Sequence, residues 1–532
     1  MKKKFYLIVF LCISLSIAGC FDVSSEKSLN KKDYIVYSID KFPASLNVST
    51  TFSPRDKDLI YSLFDGLVEL NENGEVIPAL AESWKVSNDG LEYVFKLRDD
   101  IFWSSGNKIT VDDFIRFFED ITNPKNNEDY VKELYSIYGI QSYHDGKNDF
   151  NKNVAITKVD KNTLKIRMNR KDDEFLHKLS KAVFRLRNFN NILDSYEKDF
   201  GSIEYSGAYK IVRVDTNKEI ELKLNEKYYN KKVETPQRII LRIFTGSELA
   251  LAAFEADQSV DIIVGVPLSE VNRLSEKNKV ELIPSNSTKL IQMNYNNKTV
   301  SNSDFRKAIE IGLMWEIIDS PLVKNNSVEV AMGEMIRKDN SSNSSFTSER
   351  TYEVKKKETI QEVSRLLNKA GYKNEPLLLV GKNNEENRII CGLIVKKLTE
   401  NNNINIRYKL YSSAEYDSVI KNKQYDMLLR DFMISKNTLS DFVSQWYKDN
   451  FDLNSTDTEF EELINKINNS KESKEREEFT NKALNLIKDN NYLFPLYFDN
   501  IVCCKSDKIK YLTFDADGVL VLKNLELLDL DN

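Results

Sequence analysis

Histidine is almost missing from this chain: His144 and His177 are the only two among 532 residues. His144 lies in a polar turn and His177 in a helical stretch. Neither has a cysteine or a second histidine at ligand spacing, so no metal site is expected, nor any other cofactor. Cysteine is nearly as scarce, at five, a sparse set that makes no disulfide framework. Charge of one sign is lacking too. The 76 basic and 82 acidic residues leave a net charge of −6, which argues against a nucleic-acid partner. Beyond the first twenty residues no apolar run approaches the roughly 20 residues a spanning helix needs. No nucleophile motif, phosphate-binding loop or short-period repeat is present, so the chain is not expected to be an enzyme.

What is there points to a large, aromatic-rich globular protein. The length implies two or three domains, and a hydrophobic share of 41% is ordinary. With 25 Tyr, 28 Phe and 4 Trp, the chain can fill large cores and line a pocket.

Residues 1–19 have the build of a signal peptide. Lys2, Lys3 and Lys4 are followed by an apolar run from Phe5 to Ile17, then Ala18-Gly19-Cys20. Small residues before the cut suit a signal peptidase. The cysteine just after it makes the segment look like the bacterial lipoprotein signal. By that resemblance Cys20 becomes the lipidated N-terminus, and residues 20–32, polar and rich in Ser, Lys and Asn, are a flexible tether. The protein would then sit on the extracytoplasmic face of the cell membrane, anchored to lipid. Cys12 leaves with the leader. Cys503 and Cys504 follow an apolar run and are expected in a strand, pointing to opposite faces as buried hydrophobes rather than as a redox pair.

Along the mature chain, strand and helix patterns alternate. Tyr34 to Ser38 alternates as a strand, and Arg55 to Leu70 has helical spacing. Thr110 with Asp113 three residues on predicts a capped helix start. Asp160-Lys161-Asn162 between two alternating runs predicts a hairpin. A helix over 248–257 leads into a strand over 260–264. A helix over 356–370, a strand over 377–380, a helix over 389–400 and a strand over 404–410 repeat the alternation, which is α/β logic. The acidic runs Asp172-Asp173-Glu174 and Glu459-Glu461-Glu462 read as solvated helix faces.

A collinear series of short segments carries a resemblance. It starts at Pro43-Ala44-Ser45-Leu46-Asn47 and runs through Leu63-Phe64-Asp65-Gly66-Leu67, Pro78-Ala79-Leu80-Ala81-Glu82-Ser83-Trp84 and Phe102-Trp103-Ser104-Ser105-Gly106. It continues with Ser206-Gly207-Ala208-Tyr209-Lys210, Asp304-Phe305-Arg306-Lys307-Ala308-Ile309, Tyr425-Asp426 and Phe494-Pro495-Leu496-Tyr497. In order and spacing the series resembles the extracellular solute-binding proteins, family 5, of ABC importers. The stretch Asn123-Pro124 to Gly146-Lys147 looks most like the oligopeptide-binding branch. The resemblance implies an α/β, two-lobed periplasmic-binding-protein-like fold with a hinge between lobes. Lobe I would combine residues 33–60, 201–285 and 490–532, with 61–200 as its subdomain; lobe II would be 290–489. It implies an oligopeptide or peptide-like ligand, a permease and ATPase as partners, and a monomer. The alternative is a peptide-sensing or interaction lipoprotein that kept the fold and changed or lost the ligand.

The resemblance also implies ligand contacts at Tyr135 and Tyr138 and along Arg430, Asp431, Phe432 and Met433. The family's aspartate for the ligand's ammonium falls on Ser435 when the segment is laid without gaps from Tyr425-Asp426. A serine cannot neutralise an ammonium, and losing one partner of a buried pair costs about 3–5 kcal/mol. Three readings follow. Asp431 or Asp441 supplies the charge from a shifted position; the ligand has no free α-amine; or the pocket has decayed. The proline-rich turn expected near Met335-Ile336 is also missing.

Overall fold

The computed structural model describes residues 34–528 apart from 48–52, 127–128, 190–191, 233, 257, 319, 332, 338–348, 435–438, 451–457, 471–472 and 516. Cys20 and Ser435 therefore lie outside the described residues. Eleven strands form one mixed sheet: β1 (Tyr34–Ile39), β2 (Tyr209–Asp215), β3 (Glu219–Leu224), β4 (Arg238–Ile243), β5 (Ile262–Val264), β6 (Glu281–Met293), β7 (Val328–Val330), β8 (Leu377–Lys382), β9 (Ile406–Tyr411), β10 (Met427–Met433) and β11 (Leu493–Lys505). Their order is β9-β8-β10-β6-β11-β5-β1-β4-β3-β2, with β7 beside β11. Six helices matter below: α1 (Pro54–Leu63), α2 (Val111–Ile121), α3 (Phe175–Ser180), α4 (Glu385–Asn402), α5 (Leu439–Asn450) and α6 (Ser473–Asp489).

The sheet serves two lobes. At one end its side chains pack on a core drawn from residues 35–64, 182–262 and 503–525. At the other they pack on two cores drawn from 290–497. Residues 67–186 build a separate core around a four-stranded antiparallel sheet. Asp65 shows how distant stretches make one lobe. Its buried carboxylate accepts from Tyr228 Oη at 2.8 Å and Lys523 Nζ at 3.0 Å, and pairs with Arg185 at 3.3 Å. A buried charge survives only with partners of this kind.

Local signals explain the element ends. Asp113 Oδ2 accepts from the Thr110 backbone N–H at 2.8 Å, which starts α2. The hairpin turns where Asp160 Oδ1 accepts from Asn162 N at 2.9 Å. The helical spacing over 55–70 is only partly realised: α1 stops at Leu63, because Phe64 turns extended and Val68–Leu70 pairs as a strand with Val76–Pro78. There the carbonyls of Asp65 and Gly66 accept from Leu186 and Leu80, so tertiary pairing overrides helical periodicity. Cys503 and Cys504 are free, buried and packed in different cores on opposite sheet faces. No helix of the described residues is long and apolar enough to cross a membrane.

Candidate ligand cleft between the lobes

A cavity of about 1030 Å³ opens between the lobes. That is at or above the roughly 300–1,000 Å³ of sites for small ligands. One wall carries Tyr61, Asn73, Glu174, His177, Lys181 and Asp517; the other carries Asn286, Met335, Arg337, Leu439, Arg476 and Lys488. The walls are mixed in charge and combine polar with apolar side chains, suited to a ligand of some length.

Glu174 is the most perturbed carboxylate on these walls. It sits at the N-cap of α3, with a side chain 24% exposed. Burial pushes its carboxyl up to about 7, and the charge of Asp441 on the facing lobe adds to the push, against Lys178 and Arg476. His177 Nδ1 lies 3.8 Å from the Glu174 carboxylate, and burial lowers the pKa of that imidazole. Asp441 lies in the first turn of α5, beside the cavity-lining Leu439 and Ser440. The charge of Asp441 thus reaches Glu174 from the other lobe. Neither is ion-paired with lysine or arginine among the described residues.

The acidic run 172–174 is not a solvated face. Asp172 is buried and accepts from Ser136 Oγ at 2.7 Å and Lys178 Nζ at 2.9 Å, while Glu174 turns to the cleft. Three successive residues at a helix start point in different directions, so their shared charge says nothing of a shared face.

The residues implied by the resemblance are spread over two regions. Tyr135 is half-buried against His144, with ring centres 6.1 Å apart, and Tyr138 is exposed; both belong to the subdomain. On β10, Arg430 stacks on Phe432 at 4.4 Å and donates to Gln292 Oε1 at 3.2 Å. Phe432 meets Phe442 edge-on at 5.0 Å. Met433 is exposed. Asp431 points to the opposite sheet face, where the buried Lys289 ammonium pairs with it. None of the described members of this set is among the residues that line the cavity; Asp441 adjoins the lining residues Leu439 and Ser440 in the chain.

Arg337 was not singled out by sequence, although it follows Met335-Ile336, where the proline-rich turn is missing. Its Nη2 donates to Asp499 O at 3.0 Å and Asn500 Oδ1 at 2.9 Å, and its Nε finds no partner. It ties the cleft wall to β11.

Known proteins share this build. Residues 75–454 match the model of the bacterial extracellular solute-binding proteins, family 5 middle region. The dipeptide-binding protein DppE and the oligopeptide-binding protein OppA of Bacillus subtilis are each 21% identical to this chain. The alignments cover 98% of this chain in both cases, and 98% and 99% of those proteins. Among solved structures, an oligopeptide-binding protein of Borrelia burgdorferi superposes with a TM-score of 0.75 at 22% identity, covering 93% of this chain and 100% of that one. The murein tripeptide-binding protein MppA of Escherichia coli does so with 0.74 at 20%, covering 94% and 99%. At such identities the structural likeness speaks to the fold. The match over most of the chain, and a sheet shared by two lobes around one large cleft, lead to a single assignment: the chain belongs to family 5 of the bacterial extracellular solute-binding proteins.

Proposed function

We propose that this protein is the extracytoplasmic receptor of an ABC importer and binds an oligopeptide or peptide-like solute between its lobes. The carrying observation is the cleft itself, with Glu174 on one wall and Asp441 next in the chain to Leu439 and Ser440 of the other. A ligand cation placed between them gains a partner from each lobe and cancels their mutual repulsion. Such a ligand favours the closed form by differential contact, which is what closure requires. The cation is the α-ammonium of a peptide, so Asp441 takes the role that Ser435 cannot, and Glu174 shares it. Cys20 carries the lipid that holds the receptor at the membrane, and a permease receives the solute.

Mass spectrometry of the ligand that co-purifies with the protein tests this reading. A peptide with a free N-terminus is the expected result. Titration with that peptide and its N-acetylated form then weighs the anchor: Glu174→Gln and Asp441→Asn should each weaken the free-amine form about tenfold and leave the acetylated form unchanged. Equal losses for both forms would remove the carboxylate pair from the site. A co-purifying ligand without an amine would instead favour a receptor with altered specificity.

A further inference from the structure

Two strands carry the chain from lobe to lobe, and their pairing shifts register twice, widely between Pro284 and Thr288 and by one residue between Lys289 and Leu290. β6 and β11 pair regularly from Glu281 opposite Cys503 to Pro284 opposite Asn500, and pairing resumes at Thr288 opposite Phe498. Between these points Ser285, Asn286 and Ser287 face a single residue, Asp499. On one side of this bulge the strands pack in the first lobe, with Val502, Cys503 and Cys504. On the other they pack in the second, with Leu290, Ile291, Phe494 and Tyr497. Asp499 therefore stands at the joint.

Its surroundings are short of positive charge. One oxygen from each of Asp499, Asp431 on β10 and Glu386 in the first turn of α4 lies within 4.8 Å of the other two. The cation among them is Lys289 of β6, 1% exposed, 3.1 Å from Glu386 and paired with Asp431; Asn387 Oδ1 accepts a third contact at 3.0 Å. From β11 itself Tyr497 Oη donates to Glu386 at 2.6 Å. Arg337 donates to the Asp499 carbonyl and to Asn500 Oδ1 and pairs with Glu329 of β7. Ser287 Oγ donates to the Asp499 carboxyl, and Ser285 Oγ to its carbonyl at 2.9 Å. Three carboxylates at such separations cannot all ionise around one ammonium. Lys289 holds Glu386 and Asp431, so Asp499 is the member left to keep a proton. Burial, then the charge of Glu386, push its carboxyl well above the usual carboxylate range.

We propose that the interlobe joint is proton-linked: Asp499 serves it as a neutral acid, and loss of that proton gathers three negative charges around Lys289 and loosens the seam between β6 and β11.

The test needs no ligand. Thermal unfolding of the full-length protein and of Asp499→Asn is followed from about pH 5 to about pH 9. An acid whose pKa is raised by folding contributes stability that is whole below its unfolded value, near 4, and is lost as pH rises through the folded value. Wild type should therefore fall behind Asp499→Asn by several degrees at the alkaline end and match or exceed it at the acid end. Distances between spin labels on the two lobes should broaden with pH in wild type and stay fixed in the variant. A gap between the proteins that does not change with pH overturns the proposal. So does a pH-dependent gap with unchanged interlobe distances, which would make the cluster a stability element only. Should the variant fail to fold, Asp431→Asn, which removes one of the three charges, must flatten the same pH slope; an unaltered slope overturns the proposal equally.

Discussion

Single residues decide the chemistry of the cleft. Glu174 must be ionised to hold an ammonium, and burial pushes its carboxyl up to about 7. Below that value Glu174 is neutral and its share of the pull is lost. Affinity for a free-amine peptide should thus rise as pH climbs through neutrality in wild type, beyond any trend left in Glu174→Gln; calorimetric titration of both across that range checks it. If the two proteins show the same slope, Glu174 does not touch the cation. Little of this was legible beforehand. Glu174 hides in a run of three acids whose directions only the fold reveals. Lys289 sits beside apolar residues with no local mark, because its partners Glu386 and Asp431 lie 97 and 142 positions away. Long-range pairs leave no periodic trace in a sequence.

At the level of elements the chain is far more readable, since caps, turns and alternation act over a few residues. The Thr110 cap and the hairpin at Asp160-Lys161-Asn162 formed where their spacing indicates. The segment Ser206-Gly207 shows why another short motif has the residues it has. Ser206 Oγ accepts from Asp65 N at 3.1 Å and donates to Leu186 O at 2.7 Å. Beside it a Cβ on Gly207 would come within 2.6 Å of the Leu63 carbonyl carbon and the Phe64 nitrogen. Both are backbone atoms with no easy retreat. Gly207→Ala should cost about 1–3 kcal/mol by overpacking, read as a lower urea midpoint. Gly392→Ala, in α4 with nothing within 4 Å of the new methyl, should instead hold or gain stability by roughly 0.5–1 kcal/mol. A shared loss at both sites would point to something other than close approach at Gly207.

For the whole molecule, the first prediction concerns where it resides. Cys20→Ala should release the protein from the membrane fraction while its circular dichroism and melting stay unchanged; retention in that fraction would discard the lipid anchor. The two-lobed class with a ligand between the lobes was readable from a collinear set of short segments, whereas the residues lining the cleft were not, because its walls come from stretches far apart in the chain that no local pattern relates. One sheet running through both halves has a mechanical corollary. Pleated strands resist sliding along one another, since every ladder bond would shear at once, but they yield to bending across their length. With the ladder out of register opposite Asp499 and again between Lys289 and Leu290, the halves can swing like a folded leaf about that crease, yet cannot glide sideways. Entry and exit of a solute would then follow one arc.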